Sequence, residues 1–212
     1  MAAGLGASMA QVYSVNAVGY VNKTFPNGGL ALVSNPLNTT NNTLNSILPN
    51  VPVDTQMYRF NGASYNDAEF FVDTSTGWLD GGGNPSTTVL KPGEGFFLAF
   101  PPGSGSVTIT FVGEVPQGSL TNPVPTGFSI RAQQVPQVIG LSAAGFPAHV
   151  DDVLYFWNYA SQGWKDAVQY LGGGSWVDTG TGDTFDPAPA VAEGFFASES
   201  AGANWTRTFT VN

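Results

Sequence analysis

Two stretches carry residues suited to acid–base chemistry: Phe71-Val72-Asp73-Thr74-Ser75-Thr76-Gly77 and Trp176-Val177-Asp178-Thr179-Gly180-Thr181-Gly182. Aspartic peptidases place one such Asp on each of two related lobes, so that paired carboxylates share a proton and activate water. His149, the only histidine, would have to serve any Ser-His-Asp arrangement, yet no Gly-x-Ser-x-Gly elbow supplies a nucleophile. Glu94 and Glu193 are a carboxylate pair of the kind glycoside hydrolysis uses. Asp151-Asp152 and Asp178 with Asp183 and Asp186 offer oxygen ligands for Ca²⁺, but no Asp-x-Asp-x-Asp-Gly loop organises them. The remaining chemistry is aromatic. Trp, Tyr and Phe make up 13% of the chain, and exposed rings of this kind stack on sugars.

What must position these residues is an internal repeat. Met57-Tyr58-Arg59-Phe60-Asn61 aligns with Leu154-Tyr155-Phe156-Trp157-Asn158 at an offset of 155 − 58 = 97. Trp78-Leu79-Asp80 aligns with Trp176-Val177-Asp178 at 176 − 78 = 98, and Thr110-Phe111 with Thr208-Phe209 at 208 − 110 = 98. Glu94-Gly95-Phe96-Phe97 aligns with Glu193-Gly194-Phe195-Phe196 at 193 − 94 = 99. Gly28-Gly29-Leu30-Ala31-Leu32 likewise corresponds to Thr126-Gly127-Phe128-Ser129-Ile130, each a turn leading into a short strand. The order is kept while the offset drifts slowly, so the chain reads as two diverged copies of one unit of roughly 98 residues. The expected division is residues 11–112 and 113–212, preceded by a leader remnant over 1–10.

That register removes the peptidase. Its two Asp lie 178 − 73 = 105 positions apart, one five residues before its Trp and the other two residues after. They are not equivalent and are expected to cap turns, each carboxylate accepting from backbone two residues on. His149 is expected to be a solvated loop residue, and Glu94 and Glu193 each follow a turn in their own copy. No catalytic, cofactor-binding or metal-binding residue is therefore assigned, and no cofactor is expected.

Composition fixes the class of fold. Gly (27) and Pro (15) are abundant, only 10% of residues are charged, and 42% are hydrophobic. Strand-forming runs such as Val107-Thr108-Ile109-Thr110-Phe111-Val112 alternate between turn clusters, while helical candidates are confined to Asn42–Leu48 and Leu141–Phe146. The expected fold is all-β: two tandem β-sandwich or barrel-like units packed together through a tight junction at Gly113–Gly118. A strand is expected over Val53–Phe60, and others at Tyr65 with Trp164 and at Trp78 with Trp176. Pro92, Gly93, Gly95 and Gly194 are structural: Pro92 fixes a turn, Gly93 can take a positive φ, and Gly95 lets a neighbouring backbone approach. Phe96 and Phe97 should then point to opposite faces. Aromatics that recur in both copies are assigned to the core. Tyr159, Tyr170 and Trp205, which do not recur, are the candidate ligand contacts.

A net charge of −9 with six Lys and Arg leaves no basic patch for nucleic acid, and the absence of Cys excludes disulfides, zinc fingers and thiol nucleophiles. No run approaches the roughly 18 apolar residues of a membrane span. Met1–Ala10 ends in the small-x-small pattern Ser8-Met9-Ala10 of a signal-peptidase site, with cleavage expected before Gln11 and the true start upstream. Gln11-Val12-Tyr13-Ser14-Val15-Asn16, the turn Pro92–Phe97 and the strand Asn204-Trp205-Thr206-Arg207-Thr208-Phe209 together resemble exported two-repeat all-β proteins of unknown function from environmental bacteria. The resemblance covers nearly the whole chain and implies export, but transfers no activity. The expected role is a non-enzymatic cell-surface or extracellular-matrix protein, meeting itself or other surface proteins through strand edges. The alternative is a carbohydrate-binding module, and a hydrolase ranks third.

Overall fold

The computed structural model describes residues 17–26 and 28–211. The expected leader and the segment Gln11–Asn16 lie outside the described residues. The fold is all-β. Its first half contains Val18–Phe25 (β1), Leu30–Ser34 (β2), Gln56–Tyr58 (β3), Glu69–Asp73 (β4), Gly77–Leu79 (β5), Gly95–Ala99 (β6) and Val107–Glu114 (β7), with one helical turn at Leu44–Ile47 (α1). The second half contains Gly118–Val124 (β8), Gly127–Ala132 (β9), Val153–Asn158 (β10), Gly163–Trp164 (β11), Val168–Gly172 (β12), Ser175–Asp178 (β13), Thr184–Phe185 (β14), Gly194–Glu199 (β15) and Ala203–Phe209 (β16). Between β7 and β8 only Val115–Gln117 intervene, so the junction is tight.

The spatial orders correspond. One antiparallel sheet runs β2-β6-β3-β4-β5, and the other runs β9-β15-β10-β12-β13-β14 with β11 attached to β10. Each is accompanied by a two-stranded ribbon, β1-β7 or β8-β16. The sheets are open, with edges at both ends, so the arrangement is sandwich-like rather than barrel-like. The terminal strand is paired: β16 runs antiparallel to β8 from Ala203 opposite Val124 to Phe209 opposite Gly118.

Strand alternation builds the cores. In the first half, Phe25 of β1 and Val107, Ile109 and Phe111 of β7 share a buried cluster with Phe96, Leu98 and Trp78 of the sheet. In the second, Val124 and Trp205 of the ribbon share one with Phe195, Ala197 and Trp176. Phe97 and Phe196, one residue along, turn to the opposite face and join a third cluster with Leu32, Ile130 and Trp157. Two aromatic neighbours thus serve two cores, as period-2 geometry requires. Trp78 and Trp176 are fully buried, and each indole N–H is satisfied, by the Leu48 carbonyl at 2.8 Å and by Ser142 Oγ at 2.9 Å.

Three elements differ from the expectation, the first being Tyr65, which makes an isolated bridge with Phe60 rather than a strand. The strand expected over Val53–Phe60 shrinks to β3, because Pro52 opens a turn in which Asp54 takes a φ of 64° and Thr55 donates its hydroxyl to the Pro52 carbonyl. Leu141–Phe146 forms turns rather than a helix, ended by Gly145 at a φ of 75°. No helix among the described residues is long and apolar enough to cross a membrane.

The two halves meet reciprocally. Ser34 N–H donates to the Ala192 carbonyl at 3.1 Å, and Ala132 N–H donates to the Gly93 carbonyl at 3.0 Å. Gly93 has the positive φ foreseen for it, 94°, and Ala192 at the corresponding place accepts 61° without being glycine. Gly95 and Gly194 sit between the halves. A Cβ on Gly95 would collide with Ile130 Cγ2 and lie 3.5 Å from the Cα of Gly194; one on Gly194 would lie 3.0 Å from the Val33 carbonyl oxygen. The close approach read from the sequence is therefore real, and its partner is the other half of the molecule.

Candidate functional site

Two hairpins shape the contact between the halves. Phe60 bridges Tyr65 across the first, and Trp157 pairs with Trp164 across the second. Each begins with an Asn whose side-chain oxygen holds the turn. Asn61 accepts from the N–H groups of Ala63 and Ser64 at 3.0 Å, and Asn158 from those of Ala160 and Ser161 at 3.0 and 3.2 Å. The hairpin ends bring aromatic rings over Phe97. Tyr65 and Trp164 each lie edge-on to it with centroids 6.0 Å apart, and Trp164 also meets Phe196 at 5.5 Å.

A cavity of about 350 Å³ opens here, lined by Phe60, Tyr65, Phe128, Tyr155, Trp164 and Phe196. Every wall is an aromatic ring, with Phe60 and Tyr65 from the first half and the rest from the second. Tyr65, Phe128 and Trp164 are 44%, 46% and 46% exposed, so the groove is open to solvent. Partial burial raises the Tyr65 phenol above its usual pKa, leaving it neutral. A polar hollow of about 530 Å³ shares the Tyr65 wall and adds Asn61, Asn66, Asp67 and Asp80. On the other side Phe60 and Phe128 also border a hollow holding Arg59 and Glu94, which pair at 3.7 Å.

The structure redistributes the expected ligand contacts. Trp205 is fully buried, its indole N–H donating to the Ala144 carbonyl at 2.8 Å. Tyr159 is closed between the halves: its hydroxyl donates to the Leu32 carbonyl at 2.7 Å, and its ring meets Phe25 at 5.3 Å. Tyr170 is half-buried, lies against Trp176 at 4.7 Å, and its hydroxyl accepts from Gly174 N–H. None of the three is a free surface ring. Conversely Tyr65 and Trp164, assigned to the core because they recur, form the rim of the groove. Recurrence of an aromatic in the sequence thus does not by itself separate rim from core.

The carboxylates of the peptidase-like strings are turn caps. Asp73 accepts from Ser75 and Thr76 N–H at 2.8 and 2.7 Å, and Asp178 from Gly180 and Thr181 N–H at 2.8 and 3.1 Å. Those bonds lower the Asp73 pKa. Glu94 accepts from Lys91 N–H and Glu193 from Ala190 N–H, each closing its own turn.

One polar cluster was not legible. Asp152 is buried, with Oδ1 accepting from Ser200 N–H at 2.7 Å and Oδ2 from His149 N–H at 2.6 Å. The half-exposed His149 imidazole lies with Nδ1 3.4 Å from the same Oδ2. Glu199, 3% exposed, adjoins Asp152, and no N–H or hydroxyl group among the described residues donates to either of its oxygens. Burial, then the hydrogen bond with Asp152 and its charge, push the Glu199 carboxyl up to about 9. Burial would raise Asp152 too, but bonds from Glu199, His149 and Ser200 hold it at about 2. The arrangement therefore favours a protonated Glu199 beside an ionised Asp152.

No family model, curated protein or solved structure matches the chain. Sequence reasoning missed Phe128 and Glu199. Phe128 occupies the place of Leu30 (128 − 30 = 98), and a larger apolar residue at the head of an edge strand was the one available signal for the groove.

Proposed function

We propose that the chain is an exported, non-enzymatic binding protein, built from two copies of one β-unit, that takes carbohydrate rings in the aromatic groove between them. The observation that carries this reading is an open cavity of about 350 Å³ with six aromatic walls and polar hollows on both sides. The apolar C–H faces of a sugar ring stack on Tyr65 and Trp164, while its hydroxyls reach Asn61, Asn66 and Asp67. No carboxylate lines the groove itself, and Asp73, Asp178, Glu94 and Glu193 are engaged in turns. That favours binding over hydrolysis.

The test is tryptophan fluorescence titration with soluble neutral polysaccharides and their oligosaccharides, for the wild type, Tyr65→Ala and Trp164→Ala. Each substitution should weaken binding by about 1 kcal/mol, roughly fivefold in Kd. Absence of glycan binding, or binding indifferent to Trp164→Ala, would overturn the reading.

A second reading, assembly through the β1-β7 ribbon, is favoured by one observation. Val18, Tyr20 and Val112 are 74%, 67% and 52% exposed, with Tyr20 opposite Val112 on its outer face. Light scattering across a concentration series, repeated after deleting residues 11–20, tests it. A strictly monomeric full chain removes this second reading.

A further inference from the structure

The corner where β10 starts and β15 ends is built differently in the two halves. In the ladder Val153 faces Ser198, so one step outward Asp152 comes opposite Glu199. A turn from His149 to Asp152, closed by Asp152 N–H to the His149 carbonyl at 3.0 Å, swings the imidazole over the pair. Asp151 supplies the positive φ, 74°, that a type II turn needs at its third position. In the first half the corresponding places hold Thr55 (152 − 97 = 55) and Phe100 (199 − 99 = 100). Thr55 is fully buried with its hydroxyl on the Pro52 carbonyl, and Phe100 is 5% exposed and apolar. The fold therefore closes this corner without charge in one half and places two carboxyl groups there in the other.

Such a substitution is costly unless something compensates it, because buried carboxyl oxygens need donors. Asp152 has two backbone N–H donors; Glu199 has none among the described residues. One ligand atom from each of His149, Asp152 and Glu199 lies within 4.8 Å of the other two, as donors around a single ion must. We propose that His149, Asp152 and Glu199 bind one divalent transition-metal ion of the Zn²⁺ or Mn²⁺ type. An imidazole nitrogen with two carboxylate oxygens suits these borderline ions, with donor distances of about 2.0–2.2 Å for Zn²⁺. Ca²⁺ is disfavoured because it takes roughly six to eight oxygen ligands. The half-exposed His149 leaves one side of the ion open to water, and the backbone N–H bonds fix the orientation of Asp152.

Calorimetric titration of the metal-free full chain with ZnCl₂ and with MnCl₂ tests the site, beside Glu199→Gln and His149→Ala. The amide introduced by Glu199→Gln keeps the shape of the side chain and can donate to Asp152, so this variant should stay folded, which its melting curve checks. The expected result is one ion per wild-type chain and a rise in Tm reversed by EDTA. Affinity should fall in each variant by at least the roughly 10–100-fold that loss of even an outer partner costs. Co²⁺ substitution gives a separate readout, visible absorption bands that vanish in Glu199→Gln. Absence of saturable binding, or binding undiminished in folded Glu199→Gln, would overturn the proposal and leave only the protonated Glu199.

Discussion

The hairpin at Phe60–Tyr65 and the hairpin at Trp157–Trp164 start alike and end differently. Both leave a sheet through an Asn-capped turn and return on an aromatic ring. The first spans 65 − 60 = 5 positions and the second 164 − 157 = 7. The longer loop carries Tyr159 and Gln162 onto the edge of β2. Gln162 accepts from Leu30 N–H at 2.6 Å and donates to the Leu30 carbonyl at 3.2 Å, and Trp157 donates to that same carbonyl at 2.9 Å. The shorter loop has no such arm, so the facing residue Phe128 stays exposed and the groove stays open. Two added residues thus convert one of two similar surfaces from an open groove into an interface.

From that contrast, Trp157→Ala should cost about 3–5 kcal/mol, as buried large-to-small changes do. Phe60→Ala, at the corresponding place but on an open wall, should cost distinctly less in urea unfolding. Equal losses would make the groove part of the core. Next in size, Gly95→Val and Gly194→Val should each cost about 1–3 kcal/mol or prevent folding, because both overfill the contact between halves. A variant with an unchanged Tm would mean that the halves separate freely there.

The carboxyl pair exists only in the second half and sets a pH dependence for the metal-free protein. Glu199 rises from 4.5 unfolded to about 9 folded, so the fold binds the proton more tightly. Its contribution is complete below about pH 4.5 and is lost as pH rises through 9. Asp152 acts oppositely: lowered from 3.8 to about 2, it contributes above pH 3.8 and that contribution disappears as pH falls through 2. Glu199→Gln should flatten the alkaline loss, and a wild-type Tm constant from about pH 5 to 9 would exclude the protonated Glu199.

Smaller again, Tyr159→Phe should cost about 1 kcal/mol by leaving the Leu32 carbonyl without its hydroxyl donor, measurable by chemical denaturation. Asp73→Asn should leave Tm unchanged within error, since its turn is exposed and Asn caps such turns equally well. A peptidase activity lost in that variant would restore the catalyst.

The all-β class was legible because turn residues punctuate short alternating runs, a signal each segment carries locally. Phe96 and Phe97 illustrate it: alternation alone assigned them to opposite faces. Trp78 and Trp176 were read as core from their recurrence, a signal that misplaced Tyr65 and Trp164. Trp205 was not, since its counterpart is Val107 (205 − 107 = 98), and a change of residue type concealed that both are buried. Glu199 carried no local signal, because its meaning depends on the strand opposite.

By itself the sequence determined the all-β class, the positive φ at Gly93 and the need for a close approach at Gly95, all set by local sterics and period. Only the tertiary structure decided what approaches Gly95, which hairpin seals and which stays open, and that Asp152 and Glu199 meet. Those depend on contacts between residues far apart in the chain, such as Asp152 with the Glu199–Ser200 segment and Gln162 with Leu30. Such pairings are fixed by sheet register and by the docking of the two halves, and no local pattern encodes them.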